Sequence, residues 1–346
     1  MNDDVGILGN GVEAPMAGSI TVRDVAKAAG VSASTVSRAL AANSVVAAET
    51  RERIINVARQ LGYRPNHAAR GLITGRTHNI GLVIPDLENP YFASVTKGVQ
   101  SRALTEGYSV FIADSDEDAR AELELVRKLS KQVDGLILCS ARMSDADIAS
   151  VADDTTMVLI NREWGDLTSV VVDDSEIIRQ ALEHLYALGH RHIAYAGGPS
   201  TSWSNRKRWA GIEAVQPKLE GLTISPLGSF APVFGGGQSA ADVAVASGAT
   251  AVLAYNDLMG LGILARLATR GIDVPGDMSV MGIDDVNVAT LVSPGLTTVR
   301  SPLTKIGRSA VNALIDLIEP TDRHNSIEDL PVQLVVRQST SVPRSR

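Results

Sequence analysis

Cysteine is almost absent. Cys139 is the only one in 346 residues, so no internal disulfide can staple the chain, and a reducing compartment is expected. Aromatics are also scarce, 4% of residues against 45% hydrophobic. Ala, Val, Leu and Ile carry the apolar content instead, a composition suited to packed helices and buried parallel strands. No apolar run approaches the ~20 residues of a membrane span. Residues 1–18, MNDDVGILGNGVEAPMAG, lack the basic start and apolar middle of a signal peptide and read as a disordered tail. A cytoplasmic protein with no membrane partner is therefore expected. GxSxG, Walker-type loops, HExxH and CxxC are all missing, which leaves no motif for nucleophilic, phosphate or zinc chemistry.

What the chain does have is a charge asymmetry. Its net charge is −7, yet residues 20–78 hold nine basic side chains (Arg23, Lys27, Arg38, Arg51, Arg53, Arg59, Arg64, Arg70, Arg76) against three acids, Asp24, Glu49 and Glu52. A basic N-terminal block on an acidic body is the pattern of a chain that meets a polyanion at one end.

Within that block, ITVRDVAKAAGVSASTVSRAL reads as two short helices set at an angle. Thr21 caps the first, whose apolar positions Val22, Val25, Ala26 and Ala29 follow helical spacing. Gly30 ends it, because only glycine enters the left-handed conformation cheaply. Ser32 caps the second, over about 33–41, with Val36, Ala39 and Leu40 inward and Ala33, Ser34, Thr35, Ser37 and Arg38 outward. A third helix begins near Ala48, with Ile54, Ala58 and Leu61 on one face. This is the helix-turn-helix layout, whose second helix lies in the major groove of DNA. Ala33 and Ser34 are small enough to approach base edges, Arg38 reaches a base or a phosphate, and Thr35 and Ser37 are placed to bond phosphates.

TVRDVAKAAGVSASTVSRAL, followed by TRERIINVARQLGYRPNHAARGL, resembles the headpiece of the lactose-repressor (LacI/GalR) family of bacterial transcription regulators. Ala47 departs from the pattern, standing where the family usually caps its third helix with Ser or Thr. The resemblance implies that residues 64–77, RPNHAARGLITGRT, form a hinge helix on DNA. Asn66 would cap it, Arg70 would reach phosphate and Leu72 would wedge into the minor groove. Alone, so short a helix containing Gly71 is unstable.

From about His78 the texture becomes strand–helix alternation: NIGLVIPD, SVFIADSD, VDGLILCS, TTMVLIN, HIAYAGG, ATAVLAYND and MSVMGIDD are strand-like runs separated by helical ones. That order implies α/β architecture with parallel sheets, whose ligands bind beyond the strands' carboxyl ends. The pattern is similar to the family's effector core, two doubly wound lobes resembling periplasmic sugar-binding proteins. The implied organisation is a tail (1–18), headpiece (19–63), hinge (64–77) and core (78–346). Lobe 1 would comprise about 78–173 with 303–331, and lobe 2 about 174–302 with 332–346. By position, the family's ligand contacts fall on Tyr91, Phe92, Asn161, Arg162, Arg208, Phe230, Asn256 and Asp284. Asn161 replaces the Asp common there, and with Arg162 and Arg208 nearby the pocket also admits an anionic ligand beside a neutral sugar or nucleoside.

Three features imitate enzymes. GLGILA, residues 260–265, satisfies a loose dinucleotide pattern, but its glycines fall inside a helix, where close packing accounts for them. His190 and His192 lack a third metal ligand nearby, and Cys139 reads as a buried structural thiol. No cofactor or metal is called for. The expected molecule is a homodimeric repressor that binds palindromic operator DNA and answers to a sugar, sugar acid or nucleoside-like effector. A regulator whose core no longer binds a small molecule, or a binding protein that never touches DNA, are the alternatives.

Overall fold

The computed structural model describes residues 20–40, 46–63, 76–320 and 329–344. The chain divides into two compact units, residues 1–75 and 76–346. The first carries helices α1 (Val22–Ala29), α2 (Ala33–Ala39) and α3 (Ala48–Gln60). The Asp24 carboxylate accepts both the Thr21 N–H, at 2.8 Å, and the Thr21 hydroxyl, at 2.7 Å, tying down the first turn of α1. Gly30 closes that helix at φ +65°. Ser32 Oγ accepts the Thr35 N–H at 3.1 Å, which caps α2.

Val25, Ala26, Ala29, Val36, Ala39, Ile54 and Ala58 form the small core, with Val22, Val31, Val57 and Tyr63 packed around it. Leu61 does not join this face as expected. It follows the last turn of α3 and is exposed, and Tyr63 packs there instead. The second helix also stops at Ala39 rather than Ala41, where Arg51 Nε donates to the Ala39 carbonyl at 3.1 Å and satisfies a helix-end acceptor.

The second unit is built on two sheets. The first has the order β2-β1-β3-β4-β5, from β1 (Asn79–Ile84), β2 (Ser109–Asp114), β3 (Gly135–Cys139), β4 (Met157–Ile160) and β5 (Ser169–Val170). Every pairing in it is parallel. The second has the order β11-β10-β9-β8-β6-β7, from β6 (His192–Gly197), β7 (Thr223–Ser229), β8 (Ala251–Ala254), β9 (Ser279–Asp284), β10 (Thr297–Arg300) and β11 (Gln333–Val335). Only the β10–β11 pairing is antiparallel. Central strands such as β3 and β4 are buried at every position, as sheets covered on both faces require.

Helices α4 (Pro90–Thr105), α5 (Ala119–Leu129), α6 (Asp145–Ala152) and α11 (Leu303–Ile318) cover the first sheet. The second is covered by α7 (Asp174–Ala187), α8 (Trp203–Val215), α9 (Phe234–Ser247) and α10 (Asp257–Thr269). Helices α4 and α11 cross at glycines. A Cβ on Gly98 would fall 2.1 Å from the Thr304 carbonyl oxygen, and one on Gly307 would fall 2.2 Å from that of Val95. Gly260 and Gly262 lie inside α10, where a Cβ on Gly262 would strike the Phe234 carbonyl at 2.0 Å. They are packing glycines, not a phosphate turn.

Ala47 leaves the first turn of α3 without a side-chain cap. Ala47→Ser should therefore stabilise the three-helix unit by about 1 kcal/mol, read as a higher urea midpoint of its unfolding; an unchanged midpoint would refute the missing cap.

Candidate functional site

Helix α2 buries Val36 and Ala39 and turns the opposite side to solvent. Ser32, Ser34, Ser37 and Arg38 are exposed, and Ala33 and Thr35 are half-buried. The Ser32 hydroxyl bonds those of Ser34 and Thr35, both at 2.8 Å. Arg38 Nε donates weakly to the Ser34 carbonyl at 3.3 Å, and its terminal nitrogens have no partner among the described residues. Arg23, Lys27, Arg53 and Arg59 are also exposed. The unit thus presents small polar groups and cations on a rigid three-helix support. Thr21 sits apart on α1 with its hydroxyl committed to Asp24. Asn66, Arg70 and Leu72 lie outside the described residues.

In the second unit a cleft opens at the carboxyl ends of the two sheets. Its lining includes Tyr91, Phe92, Asn161, Arg208, Asn256 and Asp284, six of the eight residues expected for the effector. Asn89 starts α4 there by accepting the Tyr91 N–H at 3.0 Å, which places Tyr91 and Phe92 on the first turn. Asn161 Nδ2 donates to Tyr91 Oη at 2.5 Å and Ser140 Oγ at 3.0 Å. Its buried Oδ1 has no partner among the described residues. Asn161, Ser140, Glu117 and Asp284 all hold positive φ at or just past strand ends, a strained backbone of the kind that gathers at binding sites.

Across the cleft, Arg208 Nε donates to Asp174 Oδ1 at 2.8 Å, and Nη1 donates to the Tyr255 carbonyl. The guanidinium also lies 4.8 Å over the Tyr255 ring. Asn256 serves chiefly as the cap of α10: Oδ1 accepts the Met259 N–H at 2.9 Å and Nδ2 donates to the Pro232 carbonyl at 2.8 Å. The Asp284 carboxylate has no hydrogen bond among the described residues. Burial pushes its pKa well up, opposed by Arg208 and reinforced by Asp257 and Asp174. Below it, Asp257 accepts the Thr298 hydroxyl at 2.6 Å and the Val286 N–H at 2.9 Å.

Two expected residues are not brought to the cleft. Arg162 turns inward, donating to the carbonyls of Ala141 and Met143 and to Asp145 Oδ1 at 2.6 Å. Two loop carbonyls and the first residue of α6 thus hold its terminal nitrogens away from the cleft. Phe230 packs on the alanine-rich core beneath α9 and α10. With Arg162 committed and Arg208 neutralised by Asp174, the expected attraction for an anion has no support from either. The sequence reading missed Glu117, Arg142, Ser204 and Tyr255, which also line the cleft. Strand-end position was the available signal for Arg142, just past β3, but nothing marked it from neighbouring polar residues. Cys139 is fully buried, its thiol pushed up to about 12 by burial. His190 bonds Thr250, Ser279 and the Ser341 carbonyl at 2.8, 3.1 and 3.0 Å, as a core residue strapping down the C-terminal segment.

The helix-turn-helix unit and the two-sheet cleft together define the class of DNA-binding transcription regulators with a periplasmic-binding-protein-like core. Residues 21–66 match the model of bacterial regulatory proteins of the lacI family, and residues 182–340 match the periplasmic binding protein-like domain. The HTH-type transcriptional repressor PurR of Haemophilus influenzae is 31% identical over 92% of this chain and 98% of its own. The HTH-type transcriptional regulator PtxS of Pseudomonas plecoglossicida is 34% identical over 93% and 96%. The crystal structure of the Lac repressor dimer bound to operator and an anti-inducer superposes with TM-score 0.81, at 29% identity over 93% of this chain and 99% of that one. The chain belongs to the lacI family of bacterial transcription regulators, and the relatives it matches are regulators rather than enzymes.

Arg208→Ala strands a buried carboxylate, and should destabilise the core by about 3–5 kcal/mol. Adding Asp174→Ala should recover much of the loss in a double-mutant cycle of urea midpoints, and additive losses would dismiss the pairing. Burial raises Asp257 to about 7 against hydrogen bonds from Thr298 and Val286. Because its folded pKa lies above the unfolded one, its contribution to stability is full below about pH 4 and lost as pH rises through about 7. Asp257→Asn should remove that part of the pH dependence of the melting temperature; an unaltered slope would count against it.

Proposed function

We propose that the chain acts as a homodimeric repressor whose hold on a palindromic operator is set by a small polyhydroxylated effector in the cleft. The observation that carries the reading is the open acceptor pair in the cleft, the Asp284 carboxylate and Asn161 Oδ1, in a molecule that also presents the exposed face of α2. Two acceptors take hydroxyl donors, and Tyr91 and Phe92 supply the apolar cover that a sugar ring or a base favours. Solved regulators of similar fold that hold cellobiose, at TM-score 0.68, and ribose, at 0.66, support that ligand class. The cleft is nearly filled by its own side chains. Its cavity measures about 30 Å³, room for roughly two or three waters. A sugar therefore enters as the lobes part, which makes occupancy and lobe angle one variable.

On DNA, two α2 helices enter successive major grooves about one helical turn apart. Ser34 and Ala33 meet base edges, Arg38 a base or phosphate, and Ser37 and Thr35 phosphates. Asn66, Arg70 and Leu72 lie outside the described residues; in this reading they extend the DNA contact, with Arg70 on phosphate and Leu72 in the minor groove. The ligand shifts the balance because it binds the two lobe arrangements unequally. Two exposed apolar surfaces support the dimer: Phe234, Leu291 and Val292 on one side of the second sheet, and Phe111 and Ile112 on the edge strand β2. No helix among the described residues is long and apolar enough to cross a membrane, in keeping with a cytoplasmic site of action.

Retention of a random duplex pool, followed by sequencing of the bound fraction, should return a two-fold site. Arg38→Ala should lose at least tenfold in affinity for it, and wild-type affinity should fall steeply with salt. Wild-type affinity in the variant at moderate salt would remove α2 from the interface. A sugar or nucleoside that both raises the melting temperature and changes retention of that site would identify the effector and its sign together. Asp284→Asn should abolish both responses, and their survival would place the effector elsewhere.

A further inference from the structure

The cleft contains a second guanidinium, Arg142, that the effector reading leaves without a role. It is 4% exposed and held from several directions. Nη1 donates to the Ser140 carbonyl at 2.6 Å. The backbone N–H groups of Arg142 and Met143 both donate to the buried Glu122 carboxylate at 2.7 Å, which fixes the loop that carries the side chain. Glu117 completes the set as a bidentate acceptor, taking Nε at 2.5 Å and Nη2 at 2.9 Å.

Glu117 is the exchangeable member of this arrangement. Its side chain is 23% exposed against 3% for Arg142. It sits on the turn after β2, and its carboxylate has no other hydrogen bond among the described residues. The other cleft pair differs in this respect, since Asp174 is as buried as Arg208, with side-chain exposures of 3% and 7%. Parting that pair leaves a charge sealed from water, whereas Glu117 released from Arg142 can turn to solvent. A second carboxylate entering the cleft therefore finds one preorganised cation whose present partner can leave. The planar fork of Arg142 fits any carboxylate in the same two-bond geometry.

We propose that Arg142 is a carboxylate-binding subsite of the effector cleft, that Glu117 occupies it as an internal stand-in, and that the effector is a sugar acid whose carboxylate displaces Glu117. The inference rests on the cleft binding a polyhydroxylated ligand, and it adds the acid. The ring hydroxyls go to Asp284 and Asn161 Oδ1, and the acid group goes to Arg142. Burial raises the pKa of Asp284, which lessens its repulsion of the incoming charge. A neutral sugar has no carboxylate to take the place of Glu117 and leaves that pair intact. Selectivity for acids thus arises from exchanging one carboxylate for another rather than from a free positive charge.

The test is calorimetric titration of the full chain and two variants, at fixed ionic strength, with gluconate, glucuronate and galacturonate and with the matching neutral sugars glucose and galactose. Glu117→Gln removes the competing charge and should bind at least one acid tenfold or more tighter than wild type, with neutral sugars unchanged. Arg142→Gln should lose acid binding, and circular dichroism checks that it is folded. If Glu117→Gln binds the acids no tighter, binds none of them, or tightens on neutral sugars equally, the proposal is overturned. Neutral sugars that bind all three proteins while acids bind none would overturn it and leave the polyol cleft standing.

Discussion

A guanidinium sealed from water has to be neutralised inside the protein, and the second lobe of the cleft is arranged around that requirement. Arg208 joins the start of α7, through Asp174, to the end of β8, through the Tyr255 carbonyl. Three elements that could otherwise drift are thereby brought to one charge. The pair is not a large net source of stability, because desolvation offsets most of the attraction. What it supplies is geometry: a fixed wall, with the ring of Tyr255 beneath the guanidinium and Asn256 following directly into the cap of α10. The first lobe solves the same problem with Arg142, but with a partner that faces water. The two lobes thus offer one immovable charge pair and one movable one.

That contrast explains what the sequence could and could not convey. The α1 boundaries, the start of α2 at its Ser32 cap and the strands from NIGLVI to SVMGID were legible because each rests on local rules: capping chemistry, helical spacing, and apolar runs of strand length. β5, β7, β10 and β11 were not. The first is two residues long, the second contains Pro226 and lies at a sheet edge, and the last two are short and partly polar, so tertiary pairing decides them.

Side-chain direction was less legible than position. Asn161 and Arg162 are neighbours at the end of one strand, yet only the first lines the cleft. The second follows three acceptors inward, and those acceptors come from residues 141–145, unreachable by any local pattern. Phe230 likewise lies off the cleft lining and packs on the core under α9 and α10. Glu117 and Arg142 escaped notice because their meaning lies in pairing across 25 positions. A charge-balanced cleft leaves no composition signal.

The same balance constrains how such a core can act as a switch. A ligand alters an equilibrium only by the difference between its affinities for the two states. In a cleft whose cations already have partners, simple charge attraction contributes little to that difference. The discriminating groups are those left open or exchangeable: Asn161 Oδ1, the Asp284 carboxylate and the Glu117–Arg142 pair. Asn161 and Glu117 follow strands of the first sheet, and Asp284 ends a strand of the second. A ligand that engages all of them is held by both lobes at once, whereas one that engages a single lobe binds open and closed forms alike. Selectivity and switching therefore depend on the same requirement, that the ligand's polar groups span the cleft.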